Sequence, residues 1–299
     1  MNNAILYQAY GGTDFINECK YSLLKYLQVY NLSPPGNTGI YIYTDQPHLF
    51  SDFLPFFAGF ECIPVQEAMI NQWKGTAGFV HRFKIEMIRD FFQRFDGNLL
   101  YCDTDTYVTA PLEPLFQDIE NGAIFMHEYE GVIDKTQFPS FHKWEKFLSS
   151  TPIEYNGKQV QFSKQLQMFN AGVIGTNAKR KDVLDDVLAL SDSVYAKFPK
   201  HIAEQFAFSY CLQKAGTINT ANHLLSHYWN LKEFRQLLQR FFAKNLEESI
   251  PNLVKKVHHL DALSIMQEKM AFNSLPALQR IWKSFTGAAW QIGRYESKL

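Results

Sequence analysis

The sequence predicts an α/β fold, with a mostly parallel central sheet flanked by helices and a helical C-terminal appendage. Three patterns carry that expectation. Short apolar, β-rich runs alternate with amphipathic stretches through most of the chain. One such stretch places Phe79, Phe83, Met87, Phe91 and Phe95 four residues apart, the stripe of a helix with one face on a sheet. Beyond Lys232 the alternation stops, and Phe234, Leu237, Leu238, Phe241 and Phe242 keep a helical spacing.

The elements follow in order. Residues 4–9 (AILYQA) are apolar and stop at Gly11-Gly12, which reads as a first strand. A helix over 15–30 ends in the turn-forming SPPGNTG. Residues 39–44 (GIYIYT) and 60–65 read as two further strands. The Phe-striped helix covers 79–95 and breaks at Gly97-Asn98, and Leu99-Leu100-Tyr101-Cys102 forms a buried strand. A strand is expected at 122–126, an irregular polar stretch over 130–165, and a strand at 173–175. Helices over 182–198 and 202–215 precede a last sheet segment within 217–225. The chain divides into a body, 1–231, and an appendage, 232–299.

Net charge is −1, so no global field points to nucleic acid. The balance is uneven: residues 232–299 hold 11 Lys/Arg against 6 Asp/Glu, a net of +5, which leaves −6 on the body. Four cysteines lie far apart, without CxxC or zinc spacing. The start lacks a basic, apolar leader, and no 18-residue apolar run occurs. The expectation is a cytoplasmic protein with reduced thiols. The 26 Phe and 15 Tyr are mainly core filling.

The strand 99–102 ends in Asp103-Thr104-Asp105. In an extended backbone, carboxylates at i and i+2 point to one side. Two hard oxygen ligands at a strand's C-terminal edge suit Mn2+ or Mg2+ and a substrate's phosphates.

LLYCDTDTYV resembles the metal-binding signature of A-type-fold glycosyltransferases, above all those of family 8. The likeness spans residues 4–232 as scattered motifs. It implies transfer of a sugar from a nucleoside-diphosphate donor, a UDP-sugar first, to a saccharide or lipid-linked acceptor, with retention. By that resemblance Asp103 and Asp105 hold the ion, with Thr104 between them at the donor. Arg82 and Lys84, in His81-Arg82-Phe83-Lys84, offset donor charge. Asn170-Ala171-Gly172 matches an Asn-Ala-Gly segment at the sugar. Glu204-Gln205 stands where the family has Asp-Gln, with a longer acid, and is the catalytic candidate. His227 is expected as third ligand, with His223 as fallback, and Lys232 as a diphosphate contact. The family's Gly and its Lys-Pro-Trp order are missing here. Tyr7, Ala9 and Tyr10 stand at the edge that holds the base. Trp229 and Tyr228 read as core before sugar platforms.

Two rivals remain at this level. A haloacid dehalogenase-like phosphatase would use Asp103 as nucleophile and Asp105 as acid/base, but needs a late acidic motif that only Asp185-Asp186, inside a predicted helix, approaches. A catalytically silent sugar-binding protein is the other. The basic appendage reads as a cap on the sheet, or else as a peripheral contact with the inner face of a membrane, because Arg280–Phe285 and Trp290–Tyr295 pair aromatics with cations.

Overall fold

In a computed structural model, which describes residues 1–133, 139–163 and 165–299, the chain forms an α/β/α sandwich. Its first half contains β1 (Asn3–Gln8), α1 (Thr13–Val29), β2 (Thr38–Thr44), β3 (Phe60–Pro64), α2 (Glu67–Lys74), α3 (Arg82–Arg94), β4 (Asn98–Cys102), β5 (Thr106–Val108), α4 (Glu113–Glu120) and β6 (Ile124–Met126). There follow β7 (Tyr129–Val132), α5 (Pro139–Ser150), β8 (Ile153–Tyr155), β9 (Lys158–Val160), β10 (Gln167–Phe169), β11 (Val173–Asn177), α6 (Val183–Lys197), α7 (Ile202–Ala215), β12 (Ile218–Thr220) and β13 (Leu225–His227). The chain closes with α8 (Phe234–Lys244), α9 (Ile250–Val257), α10 (Ala262–Asn273) and α11 (Ala277–Phe285).

Among the described residues the main sheet has seven strands in the order β12-β6-β11-β4-β1-β2-β3, and only β11 runs antiparallel to its neighbours. This is the mostly parallel sheet expected from sequence. Alternation sends Ile5, Tyr7, Leu100 and Cys102 to one core and Ala4, Leu6, Leu99 and Tyr101 to the other. Both faces are therefore apolar, as a helix-covered sheet requires. Packed on the first core are α1, α8 and α9, through Leu237, Leu238, Phe241, Leu253, Val254 and Val257. A hydrogen bond from Tyr21 Oη to Leu260 O (2.8 Å) ties the C-terminal helices to α1. No helix among the described residues is long and apolar enough to cross a membrane.

Two expectations need correction. The Phe-striped helix begins at Arg82, not Phe79. Gly75 and Gly78 both adopt φ of 65°, a left-handed turn that ends α2 and delays α3. Phe79 instead stacks on Tyr195, with ring centroids 3.9 Å apart. The stretch 130–165 is not irregular within its described part. Asn156 and Gly157, both at positive φ, close a β8–β9 hairpin, an Asn-Gly signal legible in sequence. In α5, Trp144 is buried against Phe198 and Phe206. The last sheet segment expected within 217–225 is β12, at the edge of the sheet, and β13 beyond it pairs instead with β5.

Candidate active site

Strand pairing assembles the site. Antiparallel pairing sets Val173 opposite Cys102, so the residues entering β11 lie beside those leaving β4. Asp103 N–H accordingly donates to Gly172 O (2.7 Å). The β5–β13 ribbon sets His227 opposite Thr106, and Tyr228 N–H donates to Asp105 O (3.0 Å). Residues 69 to 123 positions apart in sequence meet in this way. Asp103 and Asp105 lie in a turn rather than on a continuing strand, closed by Thr106 N–H on Asp103 O (3.1 Å). Their convergence therefore comes from the turn and not from strand alternation.

One ligand atom each from Asp103, Asp105 and His227 lies within 4.8 Å of the others. Gly172 N–H donates to Asn170 Oδ1 (2.9 Å), which identifies that atom as the amide oxygen. His227 Nδ1 sits 3.0 Å from the same oxygen and must carry a proton. Its Nε2 then faces Asp105 Oδ1 at 3.1 Å. A lone pair and a carboxylate this close call for positive charge, either a second ring proton or a cation. A neutral imidazole beside two carboxylates suits a divalent ion, and the outward nitrogen is fixed by a partner behind the ring. The residues present thus fit a Mn2+ or Mg2+ site.

Close packing protects this arrangement. A Cβ at Gly172 would lie 2.3 Å from His227 Cε1 and 2.5 Å from Nδ1. Gly172→Ala should push the ring away and weaken Mn2+ binding about 10- to 100-fold, the range for lost second-shell support. Isothermal titration with Mn2+ checks this; unchanged affinity would show that the ring is not a ligand.

Charge surrounds the pair. Buried Lys84 lies 3.2 Å from Asp103 Oδ1 and 3.1 Å from Glu204 Oε1, and donates to Ala171 O (3.1 Å). The Glu204 contact is an ion pair whose angle does not make a hydrogen bond, and Glu204 Oε1 has no other partner among the described residues. Burial works against the Lys84 charge, but Asp103 and Glu204 outweigh it and hold the ammonium above its ordinary value. Burial pushes Glu204 up to about 7 in spite of Lys84. Burial also opposes ionisation of Asp105, yet His227 and Lys232 (3.0 Å to Oδ2) keep it well below the usual carboxylate range. His127 packs edge-on to His227 and is pushed down to about 4, first by burial and then by His227.

A cavity of about 390 Å3 opens over these groups. Of the residues singled out in sequence, Lys84, Asp103, Asp105, Asn170, Ala171, Gly172, Glu204, Gln205, His227 and Lys232 line it. Trp229 lines it too, half exposed, whereas Tyr228 is buried. Others point elsewhere. Arg82 pairs with Asp192 (2.9 Å) and Glu86 (2.9 Å). Thr104 Oγ1 donates to Glu18 Oε2 (3.2 Å). Tyr7 and Ala9 are inside the core, the Tyr7 hydroxyl on Ser22 Oγ (3.0 Å). Tyr10 packs on Phe83, ring centroids 4.4 Å apart, and does not line the cavity. His223 is exposed and outside the acidic cluster.

Sequence reasoning missed Glu130. Its carboxylate accepts from Asn170 Nδ2 (3.1 Å) and Gln205 Nε2 (2.7 Å), joining the Asn-Ala-Gly segment to α7. It fell in the stretch read as irregular. It also missed Glu18, buried on α1 and held by Arg235 of α8 (2.8 Å); nothing in the sequence pairs residues so far apart. Asp185, which the phosphatase reading needs, bonds Arg89 at 2.6 Å outside the cavity.

No protein-family model and no curated protein matches this sequence. Among solved structures, apo mouse xyloside xylosyltransferase 1 is similar over 74% of this chain and 85% of its own, at 11% identity and a TM-score of 0.47. The galactosyltransferase LgtC, crystallised with donor and acceptor sugar analogues, is similar over 73% of each chain at 14% identity and a TM-score of 0.47. The glycosyltransferase GlyE of Streptococcus pneumoniae TIGR4 is similar over 88% of this chain and 64% of its own, at 13% identity and a TM-score of 0.48.

Proposed function

We propose that this chain is a glycosyltransferase that moves a hexosyl group from a nucleoside-diphosphate sugar, a UDP-sugar first, to a saccharide or lipid-linked acceptor. The observation that carries the reading is the convergence of Asp103, Asp105 and His227 at the floor of a sugar-sized cavity, with Nε2 left outward by the Nδ1–Asn170 contact.

Asp103, Asp105 and His227 would hold the divalent ion, which when bound would neutralise charge on the leaving diphosphate. Lys232, more exposed than its partner Asp105, would swing its ammonium to a phosphate oxygen. Asn170 and the Ala171-Gly172 backbone would orient sugar hydroxyls at close approach. Glu204 and Gln205, at the first turn of α7, would face the reacting carbon. Lys84, buried between Asp103 and Glu204, would keep both carboxylates in place. The motif's resemblance supports retention of configuration.

The decisive measurement is release of UDP from UDP-glucose or UDP-galactose with Mn2+, with and without a chelator. Metal-dependent release is expected. Turnover of p-nitrophenyl phosphate instead would support the phosphatase, and binding of nucleotide sugar without turnover the silent protein.

A further inference from the structure

We propose that α11 is a docking face for an anionic phospholipid surface. The proposal stands apart from the sugar-transfer reading. Leu278, Ile281, Trp282 and Phe285 recur at i, i+3, i+4 and i+7, a single apolar stripe. Their exposures are 81%, 52%, 69% and 84%, and no residue of α11 is buried. The other C-terminal helices behave differently: α8 and α9 spend their apolar stripes on the core with α1. A four-residue stripe that contains Trp and Phe and stays in water marks a contact surface.

Charge selects the partner. No acid occurs between Lys269 and Arg294, and α11 itself carries Arg280 and Lys283. Lys283 and Arg294 also line a cavity of about 320 Å3 together with Phe272, Leu275, Trp290 and Glu268. Two cations beside aromatic side chains suit a phosphate headgroup, next to a stripe that suits acyl chains. At nine residues α11 is about 14 Å long, too short to span a bilayer but right for lying in its interface. A second copy of the chain fits less well. A twofold contact through this face would oppose Arg280 and Lys283 to the same cations.

The test is cosedimentation of the full chain with vesicles of phosphatidylcholine alone and with added phosphatidylserine. The protein should pellet with the anionic vesicles at low salt, and raised salt should release part of it. Trp282→Ser with Phe285→Ser should lower partitioning at least about tenfold. Arg280→Glu with Lys283→Glu should remove the preference for anionic over neutral vesicles. Both variants should keep the thermal midpoint of the parent, because α11 buries no side chain. Wild-type protein that stays in the supernatant at low salt overturns the proposal, and so does a double serine variant that pellets equally. Sedimentation velocity gives the third arm: a dimer that the serine variant dissolves, without vesicle binding, assigns the face to a second copy and overturns the lipid reading.

Discussion

Asp103→Asn and Asp105→Asn should each weaken Mn2+-dependent binding of UDP by at least about a hundredfold, the upper end of what even indirect support of a metal site is worth. An amide offers a neutral, weaker oxygen to a hard cation. The two variants should differ in what they leave behind. Asn at 105 removes the anion that faces both His227 (3.1 Å) and Lys232 (3.0 Å), so two positive or polar groups lose their common partner. Asn at 103 leaves an amide oxygen to accept from the Tyr101 hydroxyl but removes one of two carboxylates beside Lys84. Calorimetric titration with UDP, with and without Mn2+, separates the terms: the metal-dependent increment should vanish in both variants while weak metal-independent binding persists. An intact increment in both would remove the acidic pair from the site.

Lys84→Met is expected to cost about 3 to 5 kcal/mol of stability, the usual consequence of removing one partner from a buried ion pair. Lys84 is almost fully buried, and the ammonium lies between Asp103 and Glu204. Without it Asp103 and the nearly buried Glu204 lose the cation between them. Chemical denaturation measures the loss, and Glu204→Gln in the same background should recover part of it by removing one charge. Glu204 also predicts a pH dependence. Its folded pKa, raised by burial to about 7, lies above its ordinary value, so the folded state binds the proton more tightly. Its contribution to stability is present at low pH and is lost as pH rises toward 7, by about 3 kcal/mol over that window. Glu204→Gln should flatten this part of the pH–stability curve; a curve of unchanged slope would mean that Glu204 is ionised throughout.

Several parts of the site were legible without coordinates because their signals are local. Asp103 and Asp105 stand two residues apart at the end of an apolar strand, and Asn170-Ala171-Gly172 stands just before another. The small residue at Gly172 has a definite cause in the structure, the His227 ring that occupies the space of a Cβ. Glu130 gave no such signal. Its importance lies in accepting hydrogen bonds from residues 40 and 75 positions away. Arg82 shows the opposite failure: it shares the motif of Lys84, but two positions along a helix turn a side chain through about 200°. That rotation sends Arg82 to Asp192 and Lys84 into the cavity wall.

The α/β class, the strand-helix order through most of the body, and the acidic pair at the end of β4 are written in the linear chain. These follow from apolar periodicity and from neighbours along the chain, which a linear reading captures. Which residues close the site depends on three-dimensional packing. The antiparallel turn of β11 brings Gly172 to Asp103, and the departure of β13 from the main sheet brings His227 to Asp105. Packing also decided that α8 and α9 bury their stripes while α11 leaves its own in water, although all three have amphipathic sequences. The physical reason is the same in both cases. Periodicity sets the face a segment presents, whereas strand register and packing set what that face meets.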